Sequence, residues 1–178
     1  ETQEAKKFLA EIPPYPLDIV VAAYYLKAVN IPYSVYLENL VENRKDTTNI
    51  QENLLKGAGG YSKTRYGILT MSLQHLINTH KDFEDLLVFV SLLDSQNFPR
   101  SLLNIYTDKI SVDNFIYNIK KYSLITNESS QSFLGQTISL HRDTQAITLE
   151  YLLSLMSKKK RSRMLQNISK GALSHRPQ

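Results

Sequence analysis

Cysteine is absent from the 178-residue sequence, and glycine and proline are scarce, with six residues of each. A chain without cysteine has no disulfide framework and no cysteine-based metal site. It also shows no secretory signal and no apolar run long enough for a transmembrane helix. These absences suit a reducing compartment, and we expect a cytoplasmic protein with no membrane partner.

Positive charge is concentrated near the C-terminus rather than spread over the chain. Lysine and arginine supply five charges between Lys158 and Arg163, and without them the formal net charge of +4 becomes −1. A local basic run weakens the case for a domain built as a whole to hold nucleic acid. We interpret residues 158–178 as a basic tail or the start of a following domain.

The stretch Ile12–Ala28 carries the strongest pattern in the sequence. Apolar residues recur with helical period, and the opposite face is apolar as well, which predicts a buried helix. Pro16 falls in the first turn, where a missing N–H costs nothing, and Asp18 adds a carboxylate to the positive end of the helix dipole. The residues expected to face inward are Leu17, Val20, Val21, Tyr24, Tyr25 and Ala28.

The rest of the first half also predicts helices and shows no strand signal. A short amphipathic helix covers Thr2–Glu11, and a third helix follows the break at Pro32. A fourth includes Ile50, Leu54 and Leu55 and is ended by glycines, and a fifth follows the pattern Ile68, Leu69, Ser72, Leu73, Leu76 and Ile77. The predicted architecture of residues 1–79 is a small helical bundle.

The second half begins with three further predicted helices. The first covers Phe83–Leu93, and the second begins at Pro99 with Leu102, Leu103 and Tyr106 facing inward. The third has Ser111 as its N-cap and carries Val112, Phe115, Ile116 and Ile119 at helical spacing.

After these helices the hydrophobic period changes from helical to two. Ser123–Asn127 and Gln136–Leu140 predict strands joined by a polar turn at Glu128–Ser132. A last helix from Arg142 to about Ser157 is expected to bury Ala146, Leu149, Leu152, Leu153 and Met156. Three helices and a β-hairpin are the layout of a winged helix, so we predict a mostly α protein with a winged-helix domain at residues 80–157.

The stretch Gly57–Thr64 differs at one position from the phosphate-binding P-loop motif. It matches G-x-x-x-x-G-K-[ST] except that Ser62 replaces the second glycine. A P-loop must follow a buried strand, whereas Asn49–Lys56 has helical character, and Leu86–Asp94 carries a helical face where a magnesium-binding strand is needed. We interpret the stretch as a flexible glycine linker and assign no catalytic residue and no metal site.

His141 and Arg142 fall at the predicted junction between the second strand and the last helix. An imidazole and a guanidinium at such a junction can meet a phosphate. On spacing alone, a histidine satisfied by the backbone at the end of the strand is favoured.

Several motifs occur in an order that resembles one known family. Ile12–Asp18 resembles a Gly-Leu-Pro-Leu-Ala segment with Pro16 on its proline, and Leu140-His141-Arg142 lies where that family has Met-His-Asp. Between them, a set of residues resembles the pattern that leads into the family's winged helix, namely Tyr61, Thr64, Ser72, Leu73 and Leu76, and Phe98–Leu103 resembles the entry to its second helix. The chain is therefore similar, over about residues 3–155, to the C-terminal part of the nucleotide-binding module of STAND (NB-ARC) signalling NTPases.

The resemblance implies a regulatory role for this half of the module. In the family, the proline lies near adenine and the histidine contacts the β-phosphate of ADP, so Pro16, His141 and Arg142 become candidate nucleotide-binding residues. Exchange to ATP releases the winged helix and permits homo-oligomerisation. The expected partners are the protein's own nucleotide core and neighbouring domains. Without the P-loop core, the chain is expected to be an ADP-sensing, autoinhibitory fragment and not an enzyme, with no tightly bound nucleotide of its own.

Two alternatives stay open at this point. The first is a winged helix that binds nucleic acid through Ser111–Tyr122, but Lys120 and Lys121 lie at the far end of that helix and Asp113 lies at its start, where bases are usually contacted. The sequence therefore predicts no specific DNA binding. The second is a scaffold that binds other proteins.

Overall fold

The computed structural model describes residues 2–45, 60–80, 82–132, 135–163 and 166. This part of the chain is mostly helical and includes a small three-stranded antiparallel sheet. No helix within it has the length and apolar character needed to cross a bilayer. The helices are α1 (Thr2–Glu11), α2 (Pro16–Val29), α3 (Tyr33–Lys45), α4 (Gly60–Thr79), α5 (Phe83–Leu92), α6 (Ser101–Tyr106), α7 (Lys109–Lys121) and α8 (Arg142–Leu155), and the strands are β1 (Phe98–Pro99), β2 (Ile125–Ser132) and β3 (Gly135–Leu140).

The chain divides into two compact units, and the division falls within α4. Unit 1 contains the described residues up to His75 together with Lys121–Ser123, and unit 2 contains the others. The predicted domain boundaries at 1–79, 80–157 and 158–178 stay predictions, because a compact unit is not by itself a domain that folds alone.

The core of unit 1 is rich in aromatic contacts. Phe8 of α1 packs against Tyr33 and Tyr36 of α3, with ring centroids 5.2 and 5.4 Å apart. Tyr25 of α2 meets Tyr36 edge-on at 5.5 Å, and Val21 is fully buried beside it in α2. Such tilted and edge-on pairs add to the stabilisation that burial of their area provides. The three helices therefore share one aromatic core.

The predicted helix at α2 is confirmed, and Val21 and Tyr25 are buried as predicted, but two other residues expected to face inward are exposed. Val20 and Tyr24 are 39% and 42% exposed. The buried face instead consists of Asp18, Val21, Ala22 and Tyr25. The cause is Asp18, whose carboxylate turns inward to meet Arg65 of α4. A buried carboxylate must be paired, so it determines the rotation of the helix.

The fifth predicted helix is confirmed as α4, which begins earlier than its apolar pattern. The helix starts at Gly60, and Ile68, Leu69, Leu73 and Leu76 are buried along it. The predicted fourth helix near Ile50–Leu55, and the glycine linker as far as Gly59, lie outside the described residues. From Gly60 to Thr64 the predicted linker is wrong, because these residues form the first turn of α4.

The sheet of unit 2 has the order β1-β3-β2, with both pairings antiparallel. The predicted helix start at Pro99 is wrong, because Pro99 pairs with Thr137 in β1 and α6 begins at Ser101. Proline lacks the N–H that a central strand needs, and it is tolerated here because β1 is an edge strand.

The β-hairpin is longer than predicted. Strand β2 continues to Ser132, so the polar stretch Glu128–Ser132 is strand and not turn. Backbone pairing of Glu128 with Ile138 and of Ser129 with Thr137 extends the ladder through this stretch. Strand propensity depends on context, and here backbone pairing with β3 outweighs the polar composition of β2.

Helix α7 begins earlier than predicted because Asp108, and not Ser111, caps it. Asp108 Oδ1 accepts hydrogen bonds from the backbone N–H groups of Ile110 and Ser111 at 2.9 and 3.0 Å. The Ser111 hydroxyl donates to Asp108 Oδ2 at 2.6 Å. Aspartate and serine are both good N-caps, and the aspartate accepts bonds from two backbone donors. The predicted apolar face is confirmed as buried at Val112, Phe115, Ile116 and Ile119.

Helix α8 is confirmed, but one predicted core residue is wrong. Ala146 is exposed, while Thr144, Thr148 and Leu152 are buried. Gln145 Nε2 donates to the carbonyls of Val90 and Leu93 at 3.2 and 2.6 Å, at the end of α5. Satisfying those carbonyls turns Gln145 inward, which places Ala146 outside.

The burial of α2 predicts opposite outcomes for two adjacent substitutions. Val21→Asp places an unpaired carboxylate at a fully buried position and should unfold unit 1, at a cost of several kcal/mol. Val20→Asp is the matched control at an exposed position of the same helix, and it should melt close to the wild type. Circular dichroism melts of the two variants check this. A Val21→Asp variant that melts with the wild type shows that α2 is not buried through this face.

The cap of α7 predicts an acid-sensitive contribution to stability. Hydrogen bonds from Ser111, its hydroxyl first, lower the pKa of the Asp108 carboxyl. The stabilisation is therefore complete above the unfolded pKa of about 3.9 and is lost as pH falls through the lower folded pKa. Asp108→Ala should lower the melting temperature at about pH 6 and make less difference at about pH 2. If the melting temperatures of Asp108→Ala and the wild type differ by the same amount at both pH values, the cap does not depend on the ionised carboxylate.

Candidate functional site

Pro16 is the first residue of α2 and its side chain is exposed. Tyr15 precedes it in extended conformation and makes no side-chain cap hydrogen bond. The first backbone hydrogen bond of the helix runs from Ile19 N–H to the Tyr15 carbonyl at 3.1 Å. The proline ring thus lies at a solvent-facing helix start, where a planar apolar ligand can reach it.

An ion pair beside Pro16 is a feature that sequence reasoning missed. Arg65 donates from Nε to Asp18 Oδ1 at 2.9 Å and from an Nη to Asp18 Oδ2 at 3.2 Å. The Asp18 side chain is 1% exposed and that of Arg65 is 21% exposed. The same guanidinium lies 5.2 Å from the centroid of the Tyr15 ring. The only sequence signal is a single acid within an apolar helix, and this pattern does not predict which residue pairs with it.

His141 lies between β3 and α8, as predicted, and it caps the helix. Its Nδ1 accepts a hydrogen bond from the backbone N–H of Asp143 at 3.2 Å. The Asp143 carboxylate is 4.0 Å from the same nitrogen, and the His141 side chain is 44% exposed. Because Nδ1 acts as an acceptor, the neutral ring carries its proton on Nε2. The imidazole therefore has a donor left for a ligand.

Arg142 is the first residue of α8 and is exposed. A cation at this position is unfavourable for the helix itself, because the N-terminal end of the helix dipole is already positive. Asp143, one residue further along, offsets part of that charge. His141 and Asp143 therefore stabilise the start of α8, and Arg142 is the one residue of the three that offers positive charge to an anion.

The candidate residues belong to different units. His141 and Arg142 are adjacent in unit 2, and Pro16 is in unit 1. The near-match to a P-loop adds no third element to the site. Lys63 is exposed on α4, and the segment where a magnesium-binding strand would be needed forms helix α5, as its predicted helical face indicated. Among the described residues, no group of histidines, cysteines or carboxylates could hold a metal ion.

Unit 2 also contains a cavity of about 600 Å³ at one end of α5, α6 and α7. Three carboxylates, those of Asp82, Asp85 and Asp108, line it. Burial, with a further contribution from Asp85, raises the pKa of Tyr106 at its wall to about 12. Carboxylates repel phosphate, so this cavity is a poor candidate for a nucleotide site.

Comparison with known proteins adds no family assignment, since no family model, curated protein or solved structure matches the chain.

The cap geometry predicts a small structural role for His141 that serine can replace. His141→Ala removes the acceptor for Asp143 N–H and should cost roughly 0.5–1 kcal/mol, at the low end for caps because the side chain is exposed. His141→Ser restores a strong N-cap and should melt with the wild type. Thermal melts of both variants check this. Equal melting of all three proteins contradicts the cap.

Proposed function

We propose that this chain is the ADP-sensing, autoinhibitory half of a STAND (NB-ARC) signalling switch. In this proposal unit 1 is the helical domain and unit 2 is the winged helix. A P-loop core elsewhere in a longer polypeptide provides the rest of the nucleotide site. The observation that carries the proposal is the exposed His141, which caps α8 through Nδ1 and keeps Nε2–H as a donor.

The order of elements in unit 2 supports the winged-helix part of the proposal. Helices α5, α6 and α7 come first, with β1 between the first two, and the hairpin of β2 and β3 follows the third helix. Strand β1 pairs with β3, the returning strand of the hairpin. A winged helix has this layout, in which the hairpin is the wing and its last residue leads directly into His141.

His141 and Arg142 supply the chemistry for an anionic ligand. The Nε2–H of His141 donates to a β-phosphate oxygen, and Arg142 adds a positive charge beside it. A hydrogen bond to a charged group contributes about 1.5–3 kcal/mol when it is sheltered from water. Neither residue breaks a bond in this scheme. The chain therefore senses nucleotide and does not hydrolyse it.

Pro16 supplies an apolar surface for the adenine. Bound ADP stabilises the closed form of the parent polypeptide to the extent that its affinity for that form exceeds its affinity for the open form. ATP exchange then releases the winged helix and permits self-association. The ligand shifts a population of two states, and the size of the shift equals its differential affinity.

The two alternatives make poorer use of these residues. The start of α7 carries Asp108, whose carboxylate opposes contact with DNA phosphates, and Asp113, which is paired with Arg100. One lysine of the basic run, Lys160, is already paired with Glu84. A scaffold for other proteins gives no reason for an exposed histidine and arginine at the start of α8.

The cap-preserving variant His141→Ser gives a direct test in the parent polypeptide. Losing the imidazole donor should weaken ADP binding by roughly 10- to 100-fold, since about 1.4 kcal/mol is a factor of ten. ATP binding should weaken less, because the winged helix is released in the ATP form. Calorimetric titration with each nucleotide measures both affinities.

The control is the melting temperature of His141→Ser, which should equal that of the wild type. Weaker ADP binding then reflects the lost contact with the phosphate and not unfolding. An unchanged ADP affinity in a folded variant removes His141 from the nucleotide site and contradicts the proposal.

A further inference from the structure

The start of α2 needs an external support if Pro16 is to hold a ligand. Tyr15 makes no side-chain cap, and Pro16 has no backbone N–H to donate. The first backbone hydrogen bond of the helix runs from Ile19 N–H to the Tyr15 carbonyl. Helix ends that lack a side-chain cap fray easily.

Arg65 supplies that support from α4, because it engages the residues on both sides of Pro16. Its guanidinium is 5.2 Å from the ring of Tyr15, which precedes the proline. It also donates two hydrogen bonds to Asp18, in the same turn and after the proline. A planar fork bound to both carboxylate oxygens fixes direction as well as distance. Pro16 is thereby held between two contacts of one side chain.

Stability alone is a weak reason for this arrangement. A buried ion pair often stabilises a fold no better than apolar residues of the same volume, because both charges must leave water. What it supplies is a fixed geometry, since few arrangements satisfy the buried Asp18 carboxylate. In α2, the part of the helix that this geometry fixes is the first turn, which contains Pro16.

We propose that Asp18 and Arg65 are positioning residues for the contact between Pro16 and the nucleobase. This role rests on the function proposed above, since it gives Pro16 a ligand to meet. Neither residue touches the nucleotide in this scheme. Their pair holds the first turn of α2, so that the proline ring is presented in one orientation.

The first arm of the test uses the 178-residue chain and measures amide hydrogen exchange at Ile19. Arg65→Gln should speed this exchange by about tenfold or more, because the turn opens locally. Arg65→Lys keeps the charge but loses the fork, so its effect should be intermediate. Lys63→Gln is the matched control, an exposed cation lost from the same helix, and should change nothing. If Arg65→Gln unfolds the chain, Arg65→Lys gives the result. Unchanged exchange in a folded Arg65 variant overturns the proposal.

The second arm asks whether Arg65 acts through Pro16 in the parent polypeptide. Arg65→Gln or Arg65→Lys should weaken ADP binding by several-fold in the wild-type background and have no further effect in a Pro16→Ala background. Additive losses overturn the positioning role. If Pro16→Ala weakens ADP and the Arg65 variants do not, the positioning role fails and the proposed function stands. If Pro16→Ala leaves ADP affinity unchanged, Pro16 is not a nucleotide contact, and both fall.

Discussion

The buried ion pair between Asp18 and Arg65 decides how unit 1 is assembled. A carboxylate that is 1% exposed must be neutralised, and Arg65 lies 47 positions along the chain. Only one rotation of α2 brings the two together. That rotation sends Val21 and Tyr25 into the core and leaves Val20 outside. The contact of Tyr25 with Tyr36 in the aromatic core follows from that rotation.

Polar anchors set the geometry of unit 2 in the same way. Asp108 fixes where α7 begins, Gln145 fixes which side of α8 faces α5, and His141 fixes where α8 starts. Each satisfies backbone groups that a helix end leaves open. His141 alone among the three is a histidine, so one ring nitrogen serves the fold and the other is left for a ligand. The proposed function uses that division of roles.

The sequence predicts most of the helices because their period depends on neighbours three and four residues apart. The sequence predicts the structure less well where a residue distant in the chain determines which face of a helix is buried or where an element begins. Which face of α2 is buried depends on the ion pair with Arg65. Ala146 is exposed because Gln145 binds the carbonyls at the end of α5. Pro99 lies in a strand because β3 pairs with it. Of the site, the place of His141 at the junction follows from the pattern. Its cap does not, since that requires the direction of the Asp143 N–H.

In the proposed switch, the inactive state of the protein is the state with ADP bound. In the proposal, the histidine donor and the neighbouring arginine contact a diphosphate that is retained while the protein is inactive. The nucleotide content of the purified parent polypeptide therefore measures the resting state directly, by acid extraction followed by chromatography. We expect ADP at close to one molecule per polypeptide, carried through purification without added nucleotide. A folded parent with an intact P-loop core that purifies empty, or filled with ATP, is incompatible with an ADP-held switch.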